Sequence, residues 1–440
     1  MSTAIPSQRR RFSVNRPSQN QDDRVTPGVM DEMLRWLDNS GSVFRNSVEV
    51  QWSPDSGYRL VAKRPIAAGE TVVSLPSDIP LSIKKGDPAY IHDLCGRIPS
   101  ELWGVKLGLR LLLERTRVSG IPIFFSREEL HALQYPPVIQ QVTLRSRFLN
   151  DFTNQHLSSS GSDGTFEGLK IDMNALGWGM AAVLSRAFSL SGGERAMLPL
   201  IDLCNHSFTP NCKVKPKPLS QDGGFTIDLD SILDISKGDE LFIKYGKSLT
   251  NDDLLLDYGF VDENNPNDSI DLAFNSEFLE MARVISGLSH SSLQETWRAN
   301  ALNVLKIAQG DTVKIGGQRM GGTTSRRSIP GVAVQDLQSL EFGDGKISEK
   351  RIDQEALKTI AGVSAMCLGQ FPTTLEEDLK WLEKHHHHHH HPENMAAAGS
   401  SSDSEAATAN MVLAVHFRVA KKRSLARVLE VVKEEIRSLE

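Results

Sequence analysis

The sequence predicts an α+β fold in which small pieces of β-sheet bracket a long helical insert and an all-α region follows. Three observations lead there. Short strand-like runs around Gly-containing turns occur twice, from Tyr58 to Leu75 and from Ser231 to Tyr245. Between about residues 94 and 190, apolar residues recur at helical rather than strand spacing. After Asn264 the alternation gives way to helical periodicity broken by Gly-, Ser- and Thr-rich loops. A chain of 440 residues with 39% apolar residues can bury two cores. The change of pattern places the boundary between residues 263 and 264.

Taken in order, residues 1–27 carry Arg9, Arg10, Arg11, Arg16 and Arg24 with acids only at Asp22 and Asp23, the composition of an organelle transit peptide or of a disordered basic tail. A first helix is expected from Pro27 to Leu37, where Met30, Met33, Leu34 and Leu37 fall on one face. Strands follow at Tyr58–Ala62 and Thr71–Leu75, around the turn Ala67-Ala68-Gly69-Glu70. The insert holds helices at Glu101–Arg115, Arg127–Leu133, Val138–Asp151 and Gly168–Phe188, with a Ser/Gly-rich loop at Ser158–Gly164. A second β unit runs from Ser231 to Ile235, turns at Ser236-Lys237-Gly238-Asp239 and returns as Glu240–Tyr245, completing a domain over 28–263. The helical region 264–440 contains expected mobile loops at 310–331 and 385–409. It ends in a helix whose Leu425, Val428, Leu429, Val432 and Ile436 form an apolar stripe.

Several function classes are disfavoured. The longest apolar candidate, Leu102–Leu113, is interrupted by Lys106 and Arg110, so no run reaches the ~20 residues of a membrane span. The four cysteines are scattered and form no CxxC pair, which fits a reducing compartment without structural zinc. A net charge of −6 argues against a nucleic-acid partner. The seven histidines of His385–His391 lack Cys or carboxylate partners and read as a low-complexity loop, so no metal site is expected. No GxGxxG follows a strand, so a Rossmann-type nucleotide site has no support.

The chemistry is concentrated in three segments: Leu198-Pro199-Leu200-Ile201-Asp202-Leu203-Cys204-Asn205-His206-Ser207, then Lys244-Tyr245-Gly246, then Asp257-Tyr258-Gly259-Phe260. Asn205-His206-Ser207 alone reads equally well as a glycosylation sequon. With two tyrosines thirteen positions apart behind it, the set resembles the cofactor and catalytic core of SET-domain methyltransferases. The resemblance is strongest to the group typified by the Rubisco large-subunit lysine methyltransferase. It extends to Arg35-Trp36-Leu37, Phe125-Ser126-Arg127-Glu128-Glu129-Leu130, Leu133-Gln134-Tyr135-Pro136-Pro137 and Phe371-Pro372-Thr373-Thr374-Leu375-Glu376-Glu377-Asp378.

The resemblance implies S-adenosylmethionine (SAM) as cofactor. Backbone groups of Ser56 and Tyr58 would face it, Asn205 would bond its amino acid end, the His206 main chain would meet the adenine and Arg186 would pair with the carboxylate. Asp202 would position the Asn-His loop. Methyl transfer to an amine requires a neutral nucleophile, because an ammonium has no lone pair, and lysine's reference pKa is ~10.4. Tyr245 matches the family's catalytic tyrosine and Tyr258 its partner, which lines channel and cofactor. Tyrosine suits this chemistry, since its hydroxyl orients the amine and its ring attracts the methylated cation. Arg59 stands where the family usually has Gly. The implied activity is lysine methylation of a non-histone plastid protein docked by the C-terminal helical domain, with chloroplast as the expected location against cytoplasm or nucleus. Histidine as acceptor, and a non-catalytic SET scaffold in a plastid assembly, are the alternatives.

Overall fold

The computed structural model describes residues 12–13, 27–53, 57–112, 125–157, 171–190, 193–218, 225–273, 276–288, 312–316, 349–386 and 402–439. The chain folds as two compact units, which part between Val261 and Asp262, close to the boundary read from the sequence. One comprises Met1–His131, Val138–Val261 and Ala396–Leu413; the other comprises Ala132–Pro137, Asp262–Met395 and Ala414–Glu440.

In the first unit, helix Pro27–Asn39 precedes the hairpin of Val48–Ser53 and Gly57–Ala62, paired from Val48↔Ala62 to Ser53↔Gly57. Strand Thr71–Pro76 pairs with Phe225–Ser231, and Phe225–Ser231 with Cys212–Pro218. This last strand, which contains Pro216 and Pro218, is absent from the expectation above. It lies at the sheet edge, where a missing N–H breaks no ladder. Phe12–Ser13, inside the expected tail, pairs with Phe260–Val261.

The second predicted β unit needs correction. Its first strand ends at Ser231 rather than beginning there, and Ile235 makes only an isolated bridge to Ile66. Of Glu240–Tyr245, only Phe242–Ile243 forms a strand, parallel to Asn205–His206. The physical reason is a side chain: Asn211 accepts from the Phe242 N–H and donates to the Glu240 carbonyl, taking the place of a neighbouring strand. Leu37, Leu60, Val73, Leu198, Leu229 and Ile243 are fully buried in the core beneath these sheets.

The insert is helical as predicted, with described helices at Trp103–Leu112, Arg127–Ala132, Pro136–Phe152 and Met173–Arg186. Trp103–Leu112 and Met173–Arg186 cross in backbone contact. A Cβ on Gly108 would lie 2.7 Å from the Gly179 carbonyl carbon, and one on Gly179 would lie 2.8 Å from the Gly108 oxygen. No side chain fits there, so the two glycines set the crossing distance. Asp172 starts the last of these helices by accepting from Ala175 N–H. That helix ends at Arg186, and Ala187–Ser189 turns into a strand paired with Arg195–Met197, so Phe188 is not helical. Ser158–Gly164 lies outside the described residues.

The second unit is mostly helical: Ser276–Ile285, Glu349–Gly369, Leu375–His386 and Ser402–Leu439, the last shared with the first unit. Two loop expectations are overturned only where their residues are described. Thr312–Gly316, inside the expected loop 310–331, is a strand paired with Ser269–Ala273, because Thr312-Val313-Lys314-Ile315 alternates and finds a partner far away in sequence. Ser402 to Ala409, expected to belong to the second loop, is helix, consistent with its alanines. Of the histidine run, His385 and His386 end a helix and the rest lies outside the described residues. Helix Leu375–His386 begins with reciprocal bonds between Thr374 and Glu377, each side chain accepting from the other's backbone N–H.

Five charged side chains are buried within this unit. Asp378 accepts from Arg418 and Lys422, and Lys421 donates to Asp268 and to the Ser269 carbonyl. His416 faces Glu263 at 2.7 Å, and burial pulls its pKa down to about 4. Among the described residues no helix is long and apolar enough to cross a membrane.

Candidate active site

The segment Leu198–Ser207 is held by its own apolar residues. Leu198, Leu200, Ile201 and Cys204 are fully buried, and Ile201–Leu203 form a single tight turn. Leu200 enters that turn with φ of 71°, a region that costs a branched side chain free energy. Burial of its side chain offsets the strain and throws the next residues, Asp202 to His206, toward the strand Phe242–Ile243. The parallel register Phe242↔Asn205 and Ile243↔His206 then brings Tyr245 beside His206.

Two hydrogen bonds fix Tyr245. Its backbone N–H donates to His206 Nδ1 at 3.1 Å and its hydroxyl donates to the Cys204 carbonyl at 2.9 Å. A ring nitrogen that accepts carries no proton, so His206 is the neutral tautomer protonated on Nε2. A hydroxyl whose proton goes to Cys204 meets an incoming N–H as an acceptor.

Tyr258 arrives from a separate element. A reciprocal cap between Thr250 and Asp253 opens a short helix, a π-helical turn spans Leu254–Tyr258, and Gly259 ends it at φ of 72°. Asp257, read from sequence as structural, accepts from Arg145 at 2.8 Å and pins the turn to the insert. The Tyr258 ring stacks on Tyr245 with centroids 4.8 Å apart and planes at 24°. Burial, with Asp257 and Tyr245 adding to it, pushes the Tyr258 phenol upward, so it stays neutral.

The residues predicted to hold a cofactor make bonds of their own. Asn205 Nδ2 donates to Glu240 at 2.6 Å. Arg186 donates to the Asp202 carbonyl at 3.2 Å and lies 3.6 Å from its carboxylate, so Asp202 is tied to the end of the insert helix. Burial pushes the Asp202 carboxyl upward, against the pull of Arg186. Tyr58 sits on the hairpin opposite Trp52. Ser56 lies outside the described residues. Among the described residues no cluster of His, Cys, Asp and Glu can hold a metal.

Residues 57–246 match the family model for the SET domain. The chain carries a SET domain. It is 24% identical over 372 residues to the chloroplastic [fructose-bisphosphate aldolase]-lysine N-methyltransferase of Arabidopsis thaliana, covering 80% of this chain and 76% of that one. It is also 24% identical over 396 residues to the chloroplastic Rubisco large subunit N-methyltransferase of Nicotiana tabacum, covering 82% and 77%. The crystal structure of the SET domain of LSMT bound to lysine and AdoHcy shares the fold, with a TM-score of 0.62 at 18% identity over 94% of this chain and 93% of that one.

Within the SET domain, the tertiary structure adds residues the motif did not mark. His206 was expected to act through its main chain; its ring also positions the Tyr245 backbone. Glu240, which binds Asn205, carries no sequence signal beyond standing after the Gly238-Asp239 turn. The Cys204 carbonyl that receives the Tyr245 proton is a backbone group, and no side-chain motif encodes it.

Proposed function

We propose that this protein is a SAM-dependent methyltransferase that acts on a lysine side chain of a non-histone plastid protein. The single observation that carries the reading is the stacked pair Tyr245 and Tyr258 beside the His206 ring, with the Tyr245 hydroxyl already committed as a donor to Cys204. When bound, SAM supplies a methyl group on a sulfonium. Asn205, Arg186, Asp202 and Tyr58 fit it in chemistry: a carboxamide whose oxygen takes no hydrogen bond from a described residue, and a half-exposed guanidinium with donors to spare. The backbone of His206 and of Tyr58 completes the assignment, with Ser56 outside the described residues.

Tyr245 acts on the acceptor. Its oxygen accepts from the lysine amine and turns the nitrogen lone pair toward the methyl group. Tyr258 walls the channel, and the two aromatic faces favour the cationic product. Both rings are half-buried, so the lysine is drawn from water, which favours its deprotonated form. The second unit, with its buried ionic cluster and helical surface, is assigned to docking the substrate protein. The names of both relatives place them in the chloroplast and on protein substrates, which supports a plastid address and a protein acceptor here.

Two measurements test the reading. Asn205→Ala is expected to weaken SAM binding by removing bonds to charged groups worth ~1.5 to 3 kcal/mol each. Unchanged calorimetric affinity would remove Asn205 from the site. Transfer of labelled methyl from SAM to proteins of a chloroplast extract is expected to mark a discrete band; no transfer from the wild-type protein would leave the non-catalytic scaffold as the better reading. For the address, a fluorescent fusion of the whole chain should light plastids, and a cytosolic or nuclear signal would refute it.

A further inference from the structure

Arg59, in the early hairpin, reaches across to Glu240, two residues before the strand Phe242–Ile243. Its Nη1 donates to Glu240 Oε2 at 3.4 Å, and the other oxygen of that carboxylate accepts from Asn205 Nδ2 at 2.6 Å. Gln51, opposite Arg59 in the hairpin register, steadies the guanidinium at 3.5 Å through its Oε1. Val61, two residues along the same strand, bridges to Glu240 by its backbone, so the two side chains are held on one face by the sheet itself. The Glu240 side chain is 15% exposed and that of Arg59 34%. Both are shielded enough for their pairing to persist.

The geometry points to a positioning relay, Arg59 to Glu240 to Asn205, that selects the amino acid end of the cofactor; this rests on the SAM reading above. A carboxylate can only accept hydrogen bonds, so Glu240 decides which way the Asn205 carboxamide faces: Nδ2 inward to Glu240, Oδ1 outward. An outward Oδ1 is an acceptor, matched to an α-ammonium and mismatched to a second carboxylate. Arg59 holds the Glu240 carboxylate in place through its Nη1, since an anion half removed from water needs a cation beside it. Without Glu240 the amide rotates freely and offers the ligand a donor as often as an acceptor. Arg59 is therefore a positioning residue, acting through Glu240, rather than a group that touches the reacting atoms.

The test compares two probes by calorimetry: SAM, and 5′-methylthioadenosine, which keeps the adenosyl and sulfur parts but lacks the amino acid end. Glu240→Ala is expected to weaken SAM roughly 10-fold or more and to leave methylthioadenosine unchanged, with isosteric Glu240→Gln in between. Arg59→Ala should weaken SAM several-fold, Arg59→Lys should restore most of it, and Arg59→Ala should add nothing in the Glu240→Ala background, because both act through one carboxylate. Equal loss of both probes would show a general structural role and overturn the relay. So would unchanged SAM affinity in Glu240→Ala, full additivity of the two changes, or tighter SAM binding by Arg59→Ala, which would mark that side chain as an obstruction. A wild-type protein that binds neither probe would instead sink the SAM reading itself.

Discussion

Tyr245→Phe is expected to slow methyl transfer by ~100-fold or more, about 2.7 kcal/mol in barrier, while folding and SAM affinity stay near wild type. The ring that stacks on Tyr258 remains in the variant, and so does the backbone N–H bonded to His206. What is lost is the oxygen proposed to orient the amine and the bond that holds it to the Cys204 carbonyl. Single-turnover transfer at saturating SAM isolates that step from binding. Tyr258→Phe removes a hydroxyl from a wall rather than from the reacting centre, so a milder rate loss is expected, with a change in the number of methyl groups added. A Tyr245→Phe rate within a few-fold of wild type would reject the catalytic role of its hydroxyl.

The second large effect concerns stability. Asp378 is almost fully buried and is the common acceptor for Arg418, at 2.8 and 3.0 Å, and for Lys422. Thr373 donates to the same carboxylate and also accepts from Lys422. Asp378→Ala leaves two buried cations without their anion, a change that costs ~3 to 5 kcal/mol in comparable sites. Burial alone would raise the Asp378 pKa, but the hydrogen bonds from Arg418, Lys422 and Thr373 outweigh it and hold it below the usual value. The sign follows: this carboxylate contributes stability above its unfolded pKa of ~3.9, and the contribution is lost as pH falls through the lower folded value. Urea unfolding at neutral pH, followed by amide exchange in helices Leu375–His386 and Ser402–Leu439, measures the loss. A change under about 1 kcal/mol would mean that the cations reach water when the carboxylate is gone.

Periodicity reached most helices because the insert and the second unit bury one face of each helix, and that burial is written in apolar spacing. The two corrected β segments show the limit. Glu240–Tyr245 reads as one strand, yet only Phe242–Ile243 forms one, with Glu240 in an isolated bridge to Val61 and the Asn211 side chain supplying neighbouring hydrogen bonds. Cys212–Pro218 looks unlike a strand and is one, because its prolines fall at an edge. Nothing in the sequence marks Gly108 and Gly179 as partners, and only the fold brings their backbones into contact.

By itself, the sequence determined the order of the parts and the three segments that carry Asn205, His206, Tyr245 and Tyr258. Those are local properties: apolar period, turn residues and a motif in linear order. Only the tertiary structure decided that the two tyrosines stack, that the His206 ring holds the Tyr245 backbone, and that Arg59 reaches Asn205 through Glu240. Each depends on residues far apart in the chain meeting through strand register and a left-handed turn at Leu200. A hydrogen bond is made by atoms a few ångströms apart in space, and neither spacing nor composition records which distant backbone carbonyl or carboxylate will stand there.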